Sequence, residues 1–126
     1  MKDGNLMEAL ENMDEEEITF TERDAANMIR AMLKGIAYMH QSDYMHRDIK
    51  LENIMVHKTT DMNKKTIFVP SFTDFGMATS IKDDEVETLS VGTPLYMAPE
   101  ILRNDAYNKA ADIWSLGVVF YILLTS

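Results

Sequence analysis

The stretch His46-Arg47-Asp48-Ile49-Lys50-Leu51-Glu52-Asn53 decides how the rest of the chain is read. It sets a carboxylate at Asp48, a cation two positions on at Lys50 and a neutral amide at Asn53. From Tyr44 to Asn53 apolar and charged side chains follow no steady period, which predicts a loop. An acceptor, a cation and a neutral metal ligand therefore share one tight segment. Taken singly, Asp48 and a later acid, Asp74, read as loop-capping carboxylates and Asn53 as a turn residue.

Upstream, Thr21-Glu22-Arg23-Asp24 has the pattern of a capping box. A Thr oxygen there can accept from the third backbone N–H while the acid reaches back. Ala25, Met28, Ile29, Met32, Leu33, Ile36 and His40 then recur on one helical face, predicting a core-packed helix to about His40. A shorter helix is expected over residues 4–13, followed by an acidic loop at Asp14–Glu17. Downstream, Ile54-Met55-Val56 and Thr66-Ile67-Phe68-Val69 read as short strands of a hairpin with a long tip, His57–Lys65. Pro70 cannot donate to a ladder, so its strand must turn its N–H side outward or bulge. Residues 76–96, broken by Gly76, Gly92 and Pro94, are expected as a long loop. Pro99 to Leu102 suits a short helix, and Asn108 can cap a final apolar one. The fold class is α+β, mostly α, with a small β-hairpin.

The chain has 126 residues, 46% hydrophobic and 26% charged, which suits one globular unit. Against 12 Lys+Arg stand 21 Asp+Glu, a net charge of −9 concentrated in residues 1–24. That balance disfavours nucleic acid and anionic membrane as partners. The absence of cysteine excludes a disulfide framework and a thiolate metal site, and fits the cytoplasm, with the nucleus also open. The longest apolar run, Ile113 to Leu124, falls short of the roughly 20 residues of a membrane span and reads as a buried helix. Its far side has nothing left to cover it, so a piece of a larger domain is expected.

Twenty-one residues after Asn53 comes Asp74-Phe75-Gly76. Gly92-Thr93-Pro94-Leu95-Tyr96-Met97-Ala98-Pro99-Glu100 and Asp112-Ile113-Trp114-Ser115-Leu116-Gly117 follow. In this order the motifs resemble the eukaryotic protein kinase family. The resemblance covers almost the whole chain, from the interlobe link to the central helix of the larger lobe. It implies a protein-kinase-like larger (C-terminal) lobe fragment, residues 1–126, with the smaller lobe absent. Lys50 and Thr93-Pro94 resemble serine/threonine rather than tyrosine kinases. The final segment is closest in wording to calcium/calmodulin-dependent and calcium-dependent protein kinases.

The resemblance also assigns roles, with ATP and Mg²⁺ as cofactors and a protein Ser/Thr hydroxyl as acceptor of the γ-phosphate. Asp48 would accept or orient the hydroxyl proton, Lys50 would offset charge at the γ-phosphate, and Asn53 and Asp74 would ligate Mg²⁺. Met55 would lie beneath adenine, supported by Leu6, Val119 and Leu123, with Asn5 and Glu52 also on the nucleotide side. Thr93 would tie the substrate-docking loop to Asp48 and Lys50. His46 and Phe75, before Gly76, would belong to a hydrophobic spine. Asp112 would bond the backbone around His46 and Arg47, and Glu100 would pair with an arginine in a later helix.

The chain lacks the family's glycine-rich loop, strand lysine and helix glutamate, so the 126-residue piece alone is expected to be inactive and poorly stable. The rival reading is a pseudokinase or truncated, non-catalytic binding fragment; any regulatory segment would lie outside these residues. Asp3-Gly4-Asn5 stands where relatives often have Gly-Gly-Glu, so Asn5 carries over no preference for basic substrates; Glu8, Glu11 and Asp14–Glu17 are left to supply one. Arg47 in the family usually reads a phosphate, commonly three residues before Gly92, where Leu89 stands. Either a flanking hydroxyl, Thr88 or Ser90, or one of the acids Asp83, Asp84, Glu85 and Glu87 is therefore expected to engage Arg47.

Overall fold

The computed structural model describes residues 4–12 and 20–125; Asp3 and the stretch Asp14–Glu17 lie outside them. A three-stranded antiparallel sheet has the order β1 (Gly4–Asn5), β3 (Ile54–Thr60), β4 (Thr66–Phe72). Residues Tyr44–Met45 (β2) and Thr79–Ser80 (β5) pair in a second, two-stranded ladder. Helices α1 (Leu6–Glu11), α2 (Glu22–Gln41), α3 (Pro99–Leu102) and α4 (Ala110–Thr125) complete the fold.

The starts of α1, α2 and α4 are written in their capping residues. Asn5 Oδ1 accepts from the Glu8 N–H at 2.9 Å while Glu8 Oε2 accepts from the Asn5 N–H. Thr21 and Asp24 close the same reciprocal box on α2, a device worth about 1 kcal/mol. Asn108 Oδ1 accepts from the Ala110 N–H at 2.9 Å ahead of α4. Along α2 the residues Ala25, Met28, Met32 and Ile36 are buried, each larger one contributing roughly 1.5–3 kcal/mol by leaving water. Leu33 departs from the expected face and is 44% exposed, lying one position beyond Met32 on the rim of the stripe.

The hairpin is longer than its apolar residues suggest. Pairing runs from Ile54↔Phe72 to Thr60↔Thr66, which reduces the expected tip, His57–Lys65, to residues 61–65. Residues 57–60 are exposed, so no hydrophobic alternation marks them as strand. The turn is made by Asp61, whose Oδ1 accepts from the N–H groups of Asn63 and Lys65. Bonds Asp61 N–H to Lys65 O and Thr73 N–H to Asn53 O fix the alternation of the ladder. Pro70, opposite Val56, then falls at a non-hydrogen-bonded pair on the edge strand, and no bulge is needed.

Two hydrophobic clusters sit beside the loops. The larger joins Leu6, Met28, Ile36, Ile54 and Val56 to Leu116 and Val119 of α4. The smaller gathers Met45, Ile81, Ala98, Ile101, Tyr107 and Ala111. The outer side of α4 carries Trp114 and Tyr121, both exposed, around an apolar groove of about 310 Å³. Among the described residues no helix is long and apolar enough to cross a membrane.

Candidate active site

From Asp48 to Glu52 the chain is read alternately. Ile49 and Leu51 are 1% and 2% exposed and enter the larger core, while Glu52 is exposed and Asp48 and Lys50 are half-buried. Lys50 has extended backbone angles, which send successive side chains to opposite sides. The loop is thus nailed down by apolar residues at every second position and presents its polar ones together. Residues 51–53 then close a 3-10 turn that leads into β3.

The polar side chains converge. Lys50 Nζ lies 3.0 Å from Asp48 Oδ2. The Thr93 hydroxyl donates to Asp48 Oδ1 at 2.8 Å and accepts from Lys50 Nζ at 3.0 Å. Asn53, buried, turns its amide N–H groups to the Asp48 carbonyl and Oδ2, at 2.9 and 3.0 Å. Burial pushes the Asp48 carboxyl up, but bonds from Thr93, Lys50 and Asn53 and the Lys50 charge outweigh it and hold it below its ordinary value. Lys50 is held up, first by its bond to Asp48 and against its own burial, with the charges of Glu52 and Asp74 adding to the effect. At neutral pH both groups are ionised.

One face of α4 fixes the loops that carry this cluster. Asp112 is 1% exposed. Its Oδ2 accepts from the His46 N–H at 2.8 Å and its Oδ1 from the Arg47 N–H at 2.9 Å. Three positions on, the Ser115 hydroxyl donates to the Tyr96 carbonyl at 2.7 Å, just past Thr93. Arg47 has φ 67°, an unfavourable angle for a residue with a side chain, and such a residue persists only where its surroundings over-determine it, at about 1–3 kcal/mol. Gly92, φ 118°, packs against that same turn: an added Cβ would stand 2.7 Å from the Arg47 carbonyl.

The second turn is looser. Asp74, φ 55°, is exposed, and its Oδ1 accepts from its own neighbour, the Gly76 N–H, at 3.2 Å. It is drawn towards the first turn because Thr73 bonds both Asn53, through its N–H, and His46 Nε2, through its carbonyl. With the amide N–H groups of Asn53 committed to Asp48, the oxygen of Asn53 and the carboxylate of Asp74 are the donors remaining, a pair suited to a hard cation that keeps several waters. Phe75 is half-exposed, yet its ring lies 5.1 Å from that of buried His46. Met55 is half-buried between core-facing Ile54 and Val56, so it projects from the opposite face of β3, next to Asn5 of β1. Leu6, Val119 and Leu123 are buried in the larger core. Glu100, in the first turn of α3, is partly buried.

The family model described as "Protein kinase domain" matches residues 1–126. The chain belongs to the protein kinase family. Calcium/calmodulin-dependent protein kinase type 1 of Caenorhabditis briggsae is 41% identical over 106 residues, 84% of this chain and 28% of that kinase. Serine/threonine-protein kinase 33 of Bos taurus is 41% identical over 127 residues, 98% of this chain and 25% of the relative. A probable serine/threonine-protein kinase, fhkD, of Dictyostelium discoideum is 38% identical over 117 residues, 84% of this chain and 15% of the relative. The chain therefore spans about a quarter or less of the length of these kinases.

Within this kinase chain, the partner of Arg47 is Glu87. Arg47 NH1 donates to Glu87 Oε2 at 3.0 Å and Nε to the Met77 carbonyl at 2.6 Å. Three other candidates have partners elsewhere: Asp83 pairs with Lys109 at 2.7 Å, Glu85 accepts from the Lys82 N–H, and the Ser90 hydroxyl points to the Ile101 carbonyl. Thr88 is exposed and meets Glu87 through its backbone N–H. His40 was missed as a supporting residue: its Nε2 lies 2.8 Å from Asp112 Oδ2. Its place on the buried face of α2 was legible, but nothing in the sequence connects it to an acid 72 residues away.

Proposed function

We propose that residues 1–126 are the larger-lobe part of a serine/threonine protein kinase domain, which in the full-length protein transfers the ATP γ-phosphate to protein Ser/Thr hydroxyls. The observation that carries this reading is the closed cluster of Asp48, Lys50, Thr93 and Asn53. Asp48 would align a substrate hydroxyl and accept its proton late, a task suited to a carboxylate of low pKa. Lys50 places a fixed positive charge beside that oxygen, where negative charge builds on the transferring group. Thr93 makes the docking loop part of the same unit, so that substrate placement and the catalytic pair are set together. Asn53 and Asp74 would hold Mg²⁺, which when bound neutralises phosphate charge. Met55 would offer an apolar surface for the nucleotide base, supported by Leu6, Val119 and Leu123, with Asn5, its partner across the ladder, and Glu52 on the nucleotide side. Asn5 already spends its side-chain oxygen on capping α1.

The test is phosphate transfer from ATP to a Ser/Thr peptide by the full-length protein. Asp48→Asn is expected to lower kcat by about 10²–10⁴-fold with nucleotide binding retained. The depressed pKa sets the sign of the pH dependence. Asp48 stays ionised above its unfolded-state value and is protonated only as pH falls through its lower folded value, so its loss of function belongs below about pH 4. An acid limb near pH 6 that disappears in Asp48→Asn would contradict this role.

A further inference from the structure

The contacts of Glu87 go beyond those of a surface acid. Its Oε2 takes Arg47, while its Oε1 accepts from the N–H groups of Thr88 and Leu89 at 2.8 and 3.0 Å. Its backbone is paired both ways with Tyr107, at 2.7 and 2.9 Å, ahead of α4. The Tyr107 hydroxyl donates to the Leu89 carbonyl at 2.6 Å, and the ring is buried in the smaller core. Arg47, one residue before Asp48, is itself pinned by Asp112 and binds Met77 at the near end of the same segment. Residues 77–87 are thereby clamped at both ends to one guanidinium. The strand of chain leaving that clamp reaches Gly92, against the Arg47 carbonyl, and Thr93, against Asp48.

We propose that Glu87 is a positioning residue, a built-in anion that holds the segment 77–93 in its working arrangement, so that the kinase needs no phosphate on Thr88 or Ser90 to seat Thr93 on Asp48. The proposal rests on the kinase reading above and names the regulation of that site. Its physical basis is that the positive charge of Arg47 already has a carboxylate partner within the fold, at 10% and 25% side-chain exposure. Both hydroxyls that could carry a phosphate stand outside the clamp and are exposed. The two backbone N–H bonds to Oε1, ahead of the Arg47 charge, also hold the Glu87 carboxyl below its ordinary value and keep the anion present at neutral pH.

The experiment uses the full-length protein made free of phosphate by phosphatase treatment and checked by mass spectrometry. Peptide phosphorylation and amide hydrogen exchange over residues 77–93 are measured in parallel. The phosphate-free wild type and a Thr88→Ala, Ser90→Ala double variant are expected to have equal, full activity. Glu87→Gln should lower kcat about tenfold, with KM for ATP little changed, and speed exchange across 77–93, as expected when a charged hydrogen bond is lost. Glu87→Asp should recover part of both. The proposal is overturned if phosphate-free wild type is inactive until Thr88 or Ser90 is phosphorylated. It is equally overturned if Glu87→Gln leaves exchange at the wild-type rate. Failure of every form to transfer phosphate would instead defeat the kinase reading, and the exchange comparison would still decide whether Glu87 is the clamp.

Discussion

Two of the turns with a non-glycine residue at positive φ, those of Arg47 at 67° and Asp74 at 55°, flank the candidate site and are held in different ways. The first is fixed from outside. Asp112 on α4 takes the N–H groups of His46 and Arg47, Gly92 packs on the Arg47 carbonyl, and Ile49 and Leu51 anchor the next residues in the core. The second is tied at its edge by the bonds of Thr73 to Asn53 and His46, but its exposed acid is held only by the short reach of its own carboxylate to Gly76. Strain that packing over-determines is a preformed part of the machine. An acid held by one exposed local bond can turn to what binds there. The acid and amine that follow the first turn, with the Thr93 hydroxyl against them, are therefore already in place, whereas the Asp74 carboxylate of the second is held by one exposed bond.

Breaking the outside support should cost most. Asp112→Ala leaves a buried backbone donor, His46 N–H, and a part-buried one, Arg47 N–H, without acceptors and removes the partner of His40, so unfolding free energy should fall by roughly 3 kcal/mol or more. Chemical denaturation of the full-length protein measures this, with hydrogen exchange at residues 46–48 reporting the place. A change under about 1 kcal/mol, the net worth of a single ordinary hydrogen bond, would show that the first turn does not depend on α4. Asp74→Ala should do the reverse: stability within about 1 kcal/mol of wild type, because only an exposed bond is lost. Activity should nonetheless fall, with the Mg²⁺ concentration for half-maximal rate raised. Equal Mg²⁺ dependence in both proteins would remove Asp74 from the metal site.

The sequence discloses these two turns unequally as well. Residues 48, 50, 53, 74 and 93 were legible through the resemblance of their motifs to those of protein kinases, and the cluster forms from four of them. Helix α2 was legible because burial repeats with the helical period, and its cap because Thr21 and Asp24 are near neighbours in sequence. The ladder between Tyr44–Met45 and Thr79–Ser80 was not, since two residues are too few to show alternation and a pair so far apart leaves no local mark. Residues 57–60 of β3 were hidden because all four are exposed and need no apolar pattern. Among four acids near Arg47, Glu87 is selected by its backbone pairing with Tyr107, a tertiary fact.

The most direct measurement of the central claim, that Asp48 and Thr93 act as one unit across the two loops, is a double-mutant cycle on kcat in the full-length protein. With Asp48→Asn and Thr93→Ala, the account predicts strong non-additivity: the double variant should be about as slow as Asp48→Asn alone, with a coupling of roughly 0.5–3 kcal/mol. Effects that simply add would mean that the 2.8 Å bond between them plays no part in phosphate transfer, and would contradict the account.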